Sequence, residues 1–393
     1  MPASGSLTLR CADLRSLGFV SSANDRSAKF SDDELVGAKW RWSRSFRSRL
    51  PIAFSGKCAQ FQDACTARMR DAVKWVTYLS PATRAEHAGL IVEDQIFGLE
   101  SGVSVLGLLG DDGSALAAAG ERAANDPREV VSAGDVELCA PIPRPPSIRD
   151  SASFESHLRE GFAALRTQFD FDNWYKHPMV YFTNPHGLTG SGAAIPAAAG
   201  SQRLDYELEV AAVVGREGTN VDVSEAEDLI VGYCIFNDWS ARDIQGYEVK
   251  FQVGPFKTKD WAMTTGPFLV TKDEIEPFRE GNSFDLEMKA FVNGRQYSKG
   301  NLSDMYWSFA ELIAYSSRGT WVKPGDHIAS GTVGTGCILE LSATKNSDEY
   351  PWLTVGDEVA LEVEGLGRIV NHLVEPPPIR ELCRGGVNLR PDM

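Results

Sequence analysis

From residue 205 the chain reads Asp-Tyr-Glu-Leu-Glu-Val-Ala-Ala-Val-Val, and its first half alternates strictly between polar and apolar positions. A period of two predicts a β-strand, with Asp205, Glu207 and Glu209 on one face and Tyr206, Leu208 and Val210 on the other. The acidic face turns apolar at Ala211 and Val213. A second apolar run, 230–236, predicts a buried strand that ends in the polar knot Asn237-Asp238-Trp239-Ser240-Ala241-Arg242-Asp243-Ile244-Gln245. Further strands are predicted over 74–78, 87–92, 95–99, 266–271, 284–292, 336–342 and 358–364. Helices are predicted over 103–109, 114–124, 224–228 and 303–316. Another is predicted to start near Ser151, with Phe154, Leu158, Phe162 and Leu165 as its apolar stripe. The stretch from Tyr181 to Ile195 reads as loop, and Asn293-Gly294, Pro324-Gly325-Asp326 and Gly356-Asp357 read as turns. Many strands at mixed spacing predict an α+β protein built on a curled mixed β-sandwich roll, not a doubly wound sheet.

A chain of 393 residues exceeds one small core and suffices for two domains and an extension. Pro141-Ile142-Pro143-Arg144-Pro145-Pro146 is a stiff linker, since proline fixes φ. It divides a small α+β domain (69–140), which has no glycine-rich phosphate loop, from a larger domain (141–393). Residues 1–68 are rich in Ser and Arg, show little periodicity, and read as a low-complexity or disordered extension ahead of a natural start at Met69.

Charge narrows the partners. The net charge of −15 rules against a nucleic-acid partner, and no basic stripe contradicts it. Residues 1–68 carry +5, which leaves −20 for the rest. Trp40–Arg49 resembles part of an organellar transit peptide, whereas Asp32-Asp33-Glu34 does not. A cytoplasmic protein is expected, with a mitochondrial one the alternative if 1–68 is such a peptide. Seven cysteines without a CxxC spacing fit a reducing compartment, and Cys234 and Cys337 read as small core residues. No apolar run is long enough to span a membrane.

The candidate chemistry lies in the acids. Positions two apart on a strand are separated by about 6.6 Å, so Glu207 and Glu209 can bend toward one point. Carboxylates where a wet site meets a core are reconciled by a hard divalent cation, and with Asp238 three acids suffice to hold Mg²⁺. A solvated acidic strand face is the other reading. His157 at the edge of an apolar helix face reads first as a structural histidine. Glu340, in Ile338-Leu339-Glu340-Leu341, reads as an ordinary strand acid, and Arg242 and Lys259 as surface charge.

Glu-Leu-Glu at 207–209 followed by Asn-Asp-Trp-Ser-Ala-Arg-Asp at 237–243 resembles the fumarylacetoacetase superfamily, acylpyruvate hydrolase-like members above all, over roughly residues 70–375. The resemblance implies that Asp150, Glu207, Glu209 and Asp238 hold Mg²⁺ (or Mn²⁺ or Ca²⁺). It implies that His157, seven residues after Asp150, is a general base oriented by Glu340. It also makes Lys259, Arg242 and Gln245 donors to a developing oxyanion, and Thr332 and Tyr181 substrate contacts. The implied reaction is hydrolytic cleavage of a carbon–carbon bond in a β-diketo acid of acylpyruvate or fumarylpyruvate type. A 2-oxo acid decarboxylase, tautomerase or isomerase using the same metal enolate is the alternative, and a non-catalytic binding protein a third. A keto acid is then the small-molecule partner and a homodimer the expected assembly. Ala262, Met263 and Asn184, and one residue inserted between Gln245 and Gly254, depart from the family pattern. They point to a substrate other than fumarylacetoacetate.

Overall fold

The computed structural model describes residues 74–251 and 254–378. The 1–68 extension, the start at Met69 and part of the insertion before Gly254 lie outside the described residues.

An eleven-stranded mixed sheet forms the spine of the α+β fold. In chain order its main strands are β1 (Lys74–Leu79), β2 (Glu86–Val92), β3 (Gln95–Gly98), β4 (Glu129–Ser132), β5 (Ile148–Ser151) and β6 (Val180–Thr183). After an edge strand of the second sheet, β7 (Ala194–Pro196), come β8 (Leu208–Val214), β9 (Ile230–Asp238) and β10 (Met263–Thr271). The second sheet, of five strands, adds β11 (Glu287–Val292) and β12 (Arg295–Asn301); the spine is completed by β13 (His327–Ala329), and the second sheet by β14 (Glu358–Val363) and β15 (Gly367–Val374). The spatial orders are β4-β3-β2-β1-β10-β9-β8-β13-β5-β6 and β12-β11-β14-β15-β7, with Leu188–Thr189 added parallel to β10. Because β1 pairs antiparallel with β10, the strands of 74–132 extend the sheet that carries the acids.

Every residue of β8 is buried, since both faces of the sheet are covered. Val210, Ala212 and Val214 enter the core that the second sheet also lines. Ala211 and Val213 enter a second core with Trp75, Ile148, Phe236 and Ala329. That second core is flanked by the helix Ser114–Asn125, whose Leu116, Ala119 and Ala123 pack into it.

Several predicted elements need correction. The run 336–342 is no strand: Ile338–Leu341 is a helical turn that continues as a π-turn through Asn346. Four apolar-rich residues do not by themselves distinguish the two periodicities. What decides the matter is distant, because the Asp205 carboxylate accepts from the N–H groups of Ile338 (2.7 Å) and Leu339 (3.0 Å). The predicted helix 103–109 shrinks to a 3-10 turn, Leu106–Leu108. The helix predicted from Ser303 begins at Phe309, behind a Ser308–Glu311 capping box. The helix expected near Ser151 runs Glu155–Ala164, and Ser151 itself ends β5. The loop expected over 181–195 includes most of β6 and the start of β7. The Asn293-Gly294 turn is as expected, both residues taking positive φ between β11 and β12.

Candidate active site

The register of the sheet brings the acids together. Leu208 pairs with Asn237, so Glu207 and Asp238 stand level one step beyond the ladder. Ala211 pairs with Ala329, and β5 runs parallel beside β13, which carries Asp150 to the same end of the sheet. The facing also agrees, because Asp238 follows Phe236 and Cys234, and Asp150 follows Ile148, in the strand positions that enter the second core. Asp150, Glu207, Glu209 and Asp238, all buried, thus place ligand atoms within 4.8 Å of one another.

Each carboxylate is held in place. Asp150 accepts from the N–H groups of Ser151 (2.6 Å) and Gly331 (3.2 Å). Gly331 has φ +76°, and a Cβ there would run into the Ser151 carbonyl, so glycine is required for the loop to reach Asp150. Tyr181, paired across the strands with Asp150, sets its hydroxyl 2.5 Å from Asp150 Oδ2 and 2.6 Å from Asp238 Oδ2. Thr332 Oγ1 donates to Glu209 (3.2 Å). Lys259 Nζ pairs with Glu207 and, at 2.7 Å, with Asp238.

The four acids outnumber the cations that pair with them, Lys259 and Arg242. Burial first, then the charges of Asp150, Glu207 and Asp238, push Glu209 well above the usual carboxylate range. Burial likewise raises Asp238, against the pull of Lys259. Glu207 goes the other way, because Lys259, Arg242 and His157 together outweigh its burial. Glu209 Oε2 and Asp238 Oδ1 are buried with no hydrogen-bond partner among the described residues. Orphaned carboxyl oxygens in an all-oxygen donor set are what a hard divalent cation satisfies, so the residues fit such an ion.

A second group stands beside them. His157, on the Glu155–Ala164 helix, places Nδ1 2.6 Å from Glu340 Oε1. Glu340 Oε2 accepts from the Thr335 N–H (2.8 Å). Glu340, expected on a strand, therefore reaches the histidine from a helical turn. Its charge and hydrogen bond raise the His157 pKa against the opposing effect of burial. Only Nδ1 is engaged among the described residues, which leaves Nε2 for a reactant.

Arg242 links the two groups. Its Nε donates to Asp205 (2.8 Å), Nη2 to Glu207 (2.7 Å) and Nη1 to Gln245 Oε1 (3.0 Å). Buried and engaged through three of its five N–H groups, Arg242 is not a surface charge. Gln245 has its carbonyl taken and its NH₂ unpaired among the described residues. Lys259, expected at the surface from its own sequence context, is buried too.

Asp205 was grouped with Glu207 and Glu209 by alternation, but the strand is interrupted at 206–207 and Asp205 leaves the acid cluster. It instead joins Arg242 to the turn that carries Glu340. Asn237 was also overlooked; its Oδ1 accepts from the Glu207 N–H (3.0 Å). Its signal in the sequence is its place at the head of the Asn-Asp-Trp-Ser-Ala-Arg-Asp string.

Known proteins resemble this chain over much of its described length. Residues 147–374 match the family described as fumarylacetoacetate (FAA) hydrolase C-terminal. The chain is 33% identical over 245 residues to an oxaloacetate tautomerase of Bacillus subtilis, covering 62% of this chain and 74% of that protein. It is 30% identical over 267 residues to the fumarylacetoacetase of Arabidopsis thaliana, covering 52% and 63%. With a bifunctional isomerase/decarboxylase of 4-hydroxyphenylacetate degradation from Escherichia coli it shares 32% identity over 201 residues, covering 51% and 42%. Among solved structures, a fumarylacetoacetate hydrolase of Exiguobacterium antarcticum superposes with a TM-score of 0.57 at 23% identity, over 78% of this chain and all of the other. A maleylpyruvate hydrolase of Sphingobium, in complex with manganese(II) and pyruvate, gives 0.56 at 19%, over 77% of this chain and all of the other. The match covers more than half of the chain, which belongs to the fumarylacetoacetate hydrolase family.

Proposed function

We propose that the protein is a divalent-metal-dependent hydrolase that cleaves a carbon–carbon bond of a β-diketo acid of acylpyruvate or fumarylpyruvate type. The observation that carries the reading is the His157–Glu340 pair at 2.6 Å beside a buried four-carboxylate cluster. Asp150, Glu207, Glu209 and Asp238 would hold Mg²⁺ or Mn²⁺, which when bound polarises the paired oxygens of a keto acid. Neutral His157 takes a proton from water at Nε2, while Nδ1–H remains on Glu340 and fixes the tautomer. The hydroxide adds to the acyl carbonyl. The carbon–carbon bond then breaks with its electron pair passing to the ketoacid carbon, which receives the proton back from the imidazolium. Lys259 and the Gln245 amide face the developing negative charge, Lys259 with the one N–H its two carboxylates leave over. Arg242 holds Gln245 and Glu207 in position, and Tyr181 and Thr332 border the substrate.

A second reading is supported by the tautomerase and isomerase/decarboxylase relatives: His157 moves a proton on carbon and no water adds. Reaction of acylpyruvates in ¹⁸O-labelled water separates the two. Label in the newly formed carboxylate supports hydrolysis. Turnover of oxaloacetate or a 2-oxo acid without label incorporation would replace it with the second reading.

A further inference from the structure

One buried group has no part in this chemistry. The Cys337 thiol lies fully buried, and its Sγ–H donates to Glu340 Oε1 at 3.5 Å. His157, Cys337 and Glu340 place one donor atom each within 4.8 Å of one another, separate from the four-carboxylate set. The geometry points to a second cation site, for Zn²⁺ or an ion of similar softness, held by His157 Nδ1, Cys337 Sγ and a Glu340 oxygen.

The donor chemistry separates this site from the first. Nitrogen, sulfur and one carboxylate suit zinc and are poor ligands for Mg²⁺, which favours the all-oxygen cluster. Donor atoms around tetrahedral zinc stand about 3.3–3.8 Å apart, as its bond lengths of about 2.0–2.3 Å require. The observed separations of 2.6 Å and 3.5 Å about Glu340 Oε1 need only a small opening. Charge balances as well: a thiolate and a carboxylate neutralise the dication, so the buried assembly carries no net charge. Three protein ligands leave a fourth position. His157 is the exposed member at 16%, against 2% for Glu340, so this position opens on the histidine side.

Binding is a proton exchange. The metal replaces the thiol proton, which is released, and takes the Nδ1 lone pair, so the imidazole proton moves to Nε2. A histidine in that state cannot accept a proton from water. Zinc is therefore an inhibitor that leaves the carboxylate cluster loaded; this consequence, unlike the binding, rests on the proposed role of His157.

The test uses the full chain, stripped with chelator, saturated with Mg²⁺ and titrated with Co²⁺ as the spectroscopic stand-in for Zn²⁺. The expected result is a near-ultraviolet thiolate-to-cobalt charge-transfer band that saturates at one ion per chain and is displaced by Zn²⁺. Cys337→Ser should abolish the band, and His157→Ala should move its midpoint to Co²⁺ concentrations on the order of a hundredfold higher. Cys234→Ser should keep it, since that thiol bonds to the Ala211 carbonyl away from any such group. No band in the wild type, or a band unchanged in Cys337→Ser, overturns the site; Cys337→Ala serves if the serine variant does not fold. A band with Zn²⁺ displacement but undiminished turnover supports the site and counts instead against His157 as the base.

Discussion

The carboxylate cluster and the histidine pair are neighbours built by different means. The cluster is fixed by strand register: three ladders of one sheet bring Asp150, Glu207, Glu209 and Asp238 to one end and one face. The pair is fixed by tertiary contacts between short helical pieces, Glu155–Ala164 and Ile338–Leu341, the latter tied to Asp205. The groups that concentrate charge are thus set on adjoining strands of one sheet, and the proton-transfer pair on short helical pieces. The two parts should therefore fail independently. The widest separation is expected from His157→Ala, which should cut turnover by about 10²–10⁴-fold while Mn²⁺ affinity, read by calorimetry, stays within about twofold. Equal losses in both would mean that the two halves are one unit.

Within the cluster the cations carry the fold. Lys259→Met leaves Glu207 and Asp238 without their shared ammonium in a buried setting. Breaking a buried pair from one side costs about 3–5 kcal/mol. Chelator-treated Lys259→Met should show that loss in urea unfolding, and Mg²⁺ should recover part of it, because the dication replaces some of the missing positive charge. A variant as stable as wild type in chelator would mean that the carboxylates are protonated in the metal-free fold.

How much of this could be read along the chain follows the same division. The Glu-Leu-Glu alternation and the apolar run into Asp238 gave the cluster's location because strand period and sheet register are local, regular signals. Asp150 needed the family likeness, since Ile148-Arg149-Asp150-Ser151 is a short, polar strand behind prolines. β12, with Arg295, Gln296 and Lys299 along it, was missed because it is the edge of its sheet and need not be apolar. Glu340 was placed on the wrong element because the turn that bears it is capped by a residue more than 130 positions away. Arg242 and Lys259 looked like surface charge, and no one-dimensional pattern shows that their partners are buried acids.

A smaller effect, of opposite sign in two conditions, tests the cluster from the anionic side. Glu209 is held well above the usual carboxylate range by burial and by Asp150, Glu207 and Asp238. Glu209→Gln removes the ionisable group while keeping the side chain's shape. In chelator the variant should melt at or above the wild-type temperature. With metal the order should reverse, and Mn²⁺ affinity should fall by on the order of ten- to a hundredfold, or about 1.4–2.8 kcal/mol. A variant less stable than wild type in chelator would show that Glu209 serves the fold, not the ion.

The finest test returns to the histidine. Glu340 raises the His157 pKa, so His157 becomes the neutral base only above the ordinary histidine range. The acid limb of kcat/KM in wild type should therefore lie above pH about 6.5. Glu340→Gln keeps a hydrogen-bonding partner but removes the anion. The imidazolium loses its stabilisation while the burial that opposes protonation remains, so the limb should move toward lower pH. The rate on the plateau should fall at the same time, because a less basic imidazole is a weaker proton acceptor. Higher fractional activity at acid pH together with a lower maximum is the signature of an electrostatic partner. A lower maximum with an unmoved limb would instead assign Glu340 to holding the helical turn, through its bond from the Thr335 N–H.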